Sequence, residues 1–242
     1  MTEMTINGES IEKYNARLLD YSIGGTSLSH STSNSGQVLR LPQIYNSILS
    51  PRSLSITLTF FPVSAGSNSR KTTVTERLNR STDNIVSFES DIIGKVVEIG
   101  LPDGYFYTAY VTDIQPPSFD ATGEQDVVYD FTAIRHKMPE TKEVAAGGKV
   151  FCKSNTKTPC RIVVSVPAAR ASLTICGIKI NTVAANTDIV IDSEKGLITA
   201  GGVNKFGDTE FVDFPYLLPG ENTISCDASN ADITIVYTPI YA

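Results

Sequence analysis

The sequence predicts a mainly β protein of two domains: an N-terminal α+β sandwich or split barrel with one helix, and a C-terminal β-sandwich. Three observations carry this. Ser53 to Phe60 alternates without a fault, with Leu54, Ile56, Leu58 and Phe60 on one side and Ser53, Ser55, Thr57 and Thr59 on the other. Beyond residue 149, short apolar runs return at close spacing: Arg161–Val166, Ser172–Cys176, Lys179–Val183 and Thr187–Ile191. Such a rhythm is that of a sandwich. Only the stretch from about Ser69 to Arg80 reads as a convincing helix.

In the first half, Ile6 to Ile11 reads as strand, turn and strand, and Tyr14–Tyr21 leads towards a strand near Ser22–Ser29. The Ser-rich stretch Ser27–Gly36 is poor in apolar residues and is expected to be an exposed loop. Gln43–Pro51 follows as a connection or hairpin tip. The expected helix has a capping box at Thr73 and Glu76, although a start nearer Asn68 fits as well. Val74 and Leu78 give it an apolar stripe, and Glu76 and Arg80 an i,i+4 pair on the outer face. Ile85–Leu101 is read as strand material, turning at Pro102-Asp-Gly104 into a second hairpin arm, Tyr105–Ile114. After a polar loop, Pro116–Gln125, a last strand at Asp126–Arg135 offers Val128, Phe131 and Ile134 to the core.

Lys137–Gly148 is polar or small, with Pro and Gly to break regular structure, so the domains are set at 1–138 and 149–242 with a linker at 139–148. In the second half, Ile189 and Ile191 alternate with Val190 and Asp192, and Ser193–Gly196 suits the turn that follows. Gly201-Gly202 and Pro219-Gly220 mark further turns, with Asn222 placed to bond nearby backbone. Ile233, Ile235 and Tyr237 form a final strand. There is no internal repeat.

Composition narrows the function. The chain is 242 residues long, 41% hydrophobic and 19% charged, as expected of a soluble globular protein with two cores. Its net charge is -6, with 11 basic against 15 acidic residues up to Lys137 and 9 against 11 beyond. Sequence-specific nucleic-acid binding needs a basic face, and none is visible, although an acidic protein can still line a DNA conduit. Trp is absent, which tilts against a sugar-binding module that stacks rings on indole. The start, Met1–Gly8, lacks the features of a signal peptide, and the most apolar window, Ile162–Ile180, is broken by Pro167, Arg170 and Lys179. Cytoplasmic synthesis without a membrane span is expected.

Chemistry has little material. His30 and His136 are the only histidines, far apart, which disfavours a His-based triad or metal site. There is no G-x-S-x-G elbow and no Walker loop. Asp188, Asp192 and Glu194 would share one face of a continuous strand, where two acids could serve glycoside hydrolysis, but a solvated outer face is the plainer reading. Asp120–Asp126 has some flavour of a calcium loop without its acid spacing and is expected to be a polar loop. Asn79-Arg-Ser81 is a formal glycosylation sequon on the expected helix. Cys152, Cys160, Cys176 and Cys226 have no C-x-x-C spacing. Cys176 and Cys226 sit in strand-like runs as small buried hydrophobes, while Cys152 and Cys160 could meet across a hairpin and oxidise. No catalytic, metal-binding or cofactor-binding residue is expected, and no cofactor.

A resemblance adds to this. Asp192, Gly196 and Ile198, then Phe214, Pro215, Leu217, Pro219, Gly220, Glu221, Asn222 and Ile224, then Ile233, Ile235, Tyr237 and Pro239 follow in order and spacing a pattern that resembles the C-terminal half of the Dit family, the distal tail proteins of long-tailed phages. Arg52-Ser-Leu-Ser-Ile, Glu76-Arg-Leu-Asn79 and Leu101-Pro-Asp-Gly-Tyr-Phe-Tyr107 resemble features of its N-terminal half. The resemblance implies a non-enzymatic virion protein at the tail tip, with a galectin-like C-terminal sandwich. It further implies N-terminal domains in a hexameric ring, with the tail-tube protein on one side. On the other side would be the tail-tip hub, or a tail fibre or receptor-binding protein. The runner-up is a carbohydrate-binding module recognising host cell-wall glycans, for which Phe211, Phe214 and Tyr216 are the candidate aromatics.

Overall fold

The structure is a computed structural model that describes residues 3–33, 43–62 and 73–241, with backbone alone for 28–33 and 43–49. The chain divides into two compact units, residues 1–136 and 137–241. Each has its own apolar core.

The first unit runs through β1 (Thr5–Ile6), β2 (Glu9–Ser10), β3 (Ala16–Ile23), β4 (Leu28–Ser33), β5 (Gln43–Leu49), β6 (Arg52–Phe60), α1 (Val74–Ile92), β7 (Val97–Gly100), β8 (Phe106–Ile114), β9 (Ser118–Phe119) and β10 (Gln125–His136). Its main sheet is antiparallel, in the order β2-β1-β7-β8-β10-β6-β3. The perfect alternation of β6 sends Leu54, Ile56, Leu58 and Phe60 into the core. Helix α1 closes that face with Ile85, Phe88 and Ile92, residues spaced to share one side of a helix. The Phe88 ring meets Tyr14, Phe60 and Tyr129 at centroid distances of 5.3, 5.7 and 5.1 Å. These are favourable edge-on or tilted separations.

Several expectations need correction in this unit. Part of the supposed loop at Ser27–Gly36 is β4, paired antiparallel with β5, which occupies most of Gln43–Pro51. Its Ser-His-Ser-Thr-Ser sequence has no apolar alternation to read, and residues 34–36 lie outside the described ones. The helix keeps its capping box, with the Thr73 amide donating to the Glu76 carboxylate at 2.9 Å and the Glu76 amide to Thr73 Oγ1 at 3.2 Å. It then runs on to Ile92, through residues read as strand, and only Val97–Gly100 of that stretch is strand. Ser, Thr, Asp and Asn at 81–84 are weak helix formers, but burial of the 85, 88, 92 stripe outweighs propensity. Val74, placed in the stripe by the sequence, is exposed, and residues 69–72 lie outside the described ones. On β10 the register sends Val127, Tyr129, Phe131 and Ala133 inward, so Phe131 is core while Val128 lies on the other face and Ile134 is exposed.

The second unit comprises β11 (Glu140–Val144), β12 (Lys149–Cys152), β13 (Thr158–Ser165), β14 (Arg170–Ile175), β15 (Ile178–Val183), β16 (Ile189–Asp192), β17 (Leu197–Ala200), β18 (Val203–Asn204), β19 (Thr209–Glu210), β20 (Tyr216–Leu217), β21 (Gly220–Thr223), β22 (Asp232–Tyr237) and β23 (Ile240–Tyr241). The large sheet has the order β11-β22-β13-β16-β17-β18, while β14-β15-β19 and β12-β21 form smaller ones. Ile162, Val164, Ile191, Ile233 and Ile235 from the large sheet share one core with Leu173, Ile175, Ile178 and Ile180 from the smaller. These are the two apolar faces of a sandwich.

Three readings change here. The residues taken as a linker, 139–148, contain β11, paired along its length with β22. Its Glu-Thr-Lys-Glu-Val sequence is polar on both faces, so no periodicity marks it. Cys176 is not in a strand: with Gly177 it forms the two-residue turn between β14 and β15, at φ 48 and 83°. Cys152 and Cys160 do not face each other across a hairpin, because β12 pairs with β21 and β13 with β16, β20 and β22.

Candidate functional site

Of the carboxylates weighed for chemistry, Asp192 and Asp120 close turns. Strand β16 ends at Asp192, whose Oδ1 accepts the Lys195 amide at 3.0 Å, and Gly196 completes the turn at φ 64°. Ser193 is buried, its Oγ 2.8 Å from the Cys160 carbonyl oxygen and also against that of Pro215. Of the three acids only Asp192 is on β16: Asp188 lies just before the strand and Glu194 in the turn after it. Asp120 accepts the amides of Thr122 and Glu124 at 2.8 and 3.2 Å and the Thr122 hydroxyl at 2.5 Å. The Thr122 hydroxyl and these amides hold its carboxyl below the usual range. A carboxylate already surrounded by N–H and O–H donors is poorly placed to receive a cation.

This loop docks on α1. Arg77 donates to the Ala121 carbonyl at 3.2 Å, and Gln125 Nε2 donates to the Leu78 carbonyl at 3.1 Å and to Ser81 Oγ at 2.6 Å. Gly123 lies so close that a Cβ there would come within 2.6 Å of Arg77 Cβ. His136 stacks on Phe106 with its Nε2 3.0 Å from Thr108 Oγ1, while the His30 side chain lies outside the described residues. Among the described residues no group of three or more His, Cys, Asp or Glu could hold a metal ion, and no helix is long and apolar enough to cross a membrane.

The aromatics proposed for sugar stacking do not form a platform. Phe211 and Phe214 pack edge to face at 5.0 Å, and Phe206 joins them at 5.4 and 6.3 Å. Tyr216 is not in that cluster and has Lys157 Nζ 4.0 Å from its ring centre. Phe206 escaped the sequence reading because it lies in a single 3-10 turn, where no periodicity marks it. Val203 and Val212 stand exposed near it in the chain.

The first unit also exposes apolar side chains. Val86 on α1, and Ile93 and Val96 just beyond the helix end, are apolar and exposed. Strand β3 is the last in its sheet, its register breaks between Leu18 and Asp20, and Leu19 stands exposed at the break. Beside it runs an open groove of about 730 Å³, whose walls include Met4, Ile11, Leu18 and Phe61. The face of β6 and β10 away from the core carries Ser53, Ser55, Thr57 and Thr59 beside Asp126, Val128, Asp130 and Thr132. Apart from Val128 it is a face of hydroxyls and carboxylates.

The residues behind the resemblance lock turns. Asn222 Oδ1 accepts the Leu218 amide at 2.8 Å, and its Nδ2 donates to the carbonyls of Leu218 and Gly220 at 2.7 and 3.0 Å. Asp103 accepts the Tyr105 amide at 3.0 Å and the Tyr107 hydroxyl at 2.6 Å. Leu217, Ile224, Ile233, Ile235 and Tyr237 are core.

Residues 153–241 match the family model described as the siphovirus-type tail component, C-terminal domain. Among solved structures, the chain is similar to the SPP1 Dit (gp 19.1) protein, described as a paradigm of the hub adsorption apparatus in phages infecting Gram-positive bacteria. The TM-score is 0.73 at 14% identity, covering 99% of both chains. At that identity the likeness shows the fold. A chain of the phage P2 baseplate in its activated conformation with Ca gives 0.48 at 10% identity, covering 99% of this chain and 98% of that one. The form with Sr gives 0.42 at 10%, covering 97% of each. No curated protein matches by sequence.

Proposed function

We propose that this chain, a siphovirus-type tail component by its C-terminal domain and a Dit by the fold of its whole length, is a distal tail protein. It is a structural protein of the tail tip, with no chemistry assigned to it. One observation carries the reading: the tail-component match over 153–241 and the Dit fold over both units coincide in one chain.

In this reading, residues 1–138 build a hexameric ring that joins the tail tube to the tail-tip hub, and the C-terminal sandwich is the galectin-like domain that projects from it. The mechanism is heterologous association, in which one surface of a subunit meets a different surface of the next and the rotation closes. The exposed β3 edge and the exposed Val86, Ile93 and Val96 at the C-terminal end of α1 are two such different surfaces on one unit.

Light scattering over a concentration range, followed by negative-stain imaging, is the first test. Rings of six subunits with an open centre are expected. Antibody labelling of virions tests the location separately: gold at the tail tip supports the reading, and virions free of label overturn it.

A further inference from the structure

We propose that Cys176 and Cys226 are a modification site, a thiol pair that closes to a disulfide in the folded protein when it meets a low-molecular-weight disulfide such as glutathione disulfide. The pair stands apart from the assembly reading and does not depend on it.

Three features point to it. The free edge of β14 is stitched to residues 225–227: the Cys176 amide donates to the Ser225 carbonyl at 2.9 Å, the Asp227 amide donates to the Thr174 carbonyl at 3.0 Å, and Ile175 pairs with Cys226 between them. The path from Cys176 Cα through that first hydrogen bond and one peptide to Cys226 Cα is about 8 Å along its bonds, and the bends at each atom make the direct separation shorter than that. A disulfide spans about 4.4–6.8 Å between Cα atoms. Secondly, both side chains pack against the same apolar core. Thirdly, Cys176 occupies a turn position of positive φ that favours Asn or Gly, so turn chemistry does not account for a cysteine there.

Access separates this pair from the other two cysteines. Cys152 and Cys160 are only 1% and 4% exposed and lie on strands that do not pair with each other, whereas Cys176 and Cys226 are half-buried. Burial pushes the Cys176 thiol up to about 11 and moves Cys226 in the same direction. The reaction is therefore slow at neutral pH and quickens about tenfold per pH unit as the thiolate fraction grows.

The balance is that of thiol–disulfide exchange. One cysteine thiolate attacks a sulfur of glutathione disulfide, the S–S bond breaks, and glutathione leaves as thiolate and takes up a proton. The second cysteine thiolate then attacks the protein sulfur of the mixed disulfide and displaces the other glutathione. Two protein thiols become one disulfide, and one glutathione disulfide becomes two glutathiones. The cross-link encloses the 49 residues between the two cysteines, which restricts the unfolded chain and raises the melting temperature.

The experiment is to incubate the native full-length protein with glutathione disulfide, denature it, count free thiols and map the cross-linked peptides. The expected result is a fall from four thiols to two, loss of two hydrogens from the intact mass, and a single linked species joining Cys176 to Cys226. Cys226→Ser and Cys176→Ser should each prevent that link; if one fails to fold, the other and the peptide map still decide. Four persisting thiols, a stable glutathione adduct that never closes, or a link through Cys152 or Cys160 would each overturn the proposal.

Discussion

At the scale of single residues, most of the polar groups that stood out in the sequence turn out to hold the chain in shape. Asp192, Asp103, Asp120 and Asn222 all accept backbone amides in turns. Such a role is hard to tell from catalysis by residue type alone, since both use a carboxylate or amide in a loop. It has a pH signature. The Asp120 carboxyl is held below its ordinary value by the Thr122 hydroxyl and nearby amides, so its folded pKa is lower than its unfolded one. Its stabilising effect is present above the unfolded pKa and is lost as pH falls through the folded value. Asp120→Asn should melt at a lower temperature than the parent at pH 7, and the gap should close in acid, below about pH 4. Melting curves from pH 3 to 7 check this; a gap that stays constant across the range contradicts it.

At the scale of elements, α1 is the piece on which the first core turns. Phe88 is fully buried against three other rings, so Phe88→Ala should cost about 3–5 kcal/mol. Val86→Ala, on the exposed side of the same helix, should change stability by less than about 0.5 kcal/mol. Denaturant unfolding of the two variants measures both. The same helix shows how far the sequence could be read. Its start was legible because Thr73 and Glu76 form a capping box that depends on nothing distant. Its second half was not, because Ile85, Val86 and Phe88 suit a strand locally and only packing on β6 and β10 decides for helix. Strand β6 was legible from its unbroken alternation, while β4 and β11 were not, since polar strands are defined by main-chain pairing. Among the candidate site residues, Phe211, Phe214 and Tyr216 could be picked out as aromatics. That two of them pack edge to face and the third lies under a lysine is a fact of tertiary structure.

At the scale of the whole molecule, the two cores make a prediction about where the chain can be cut. A fragment of residues 137–242 retains β11, whereas one that starts at residue 149, the boundary set from sequence, removes the strand that pairs with β22 along its length. The longer fragment should melt cooperatively. The shorter should lose stability and aggregate, because β22 becomes an open edge. Circular dichroism and size-exclusion chromatography of the two distinguish these outcomes, and equal behaviour would contradict the importance of β11. The position of β22 also bears on biosynthesis. It lies between β11 and β13, yet it is translated after both by nearly seventy residues or more. Until the ribosome has passed Tyr237, β11 has no neighbour in the large sheet and one edge of β13 stays open. Folding of the second unit thus waits on finished translation: a chain stopped before Asp232 leaves β11 unpaired and an edge of β13 open, and such edges invite pairing with other chains.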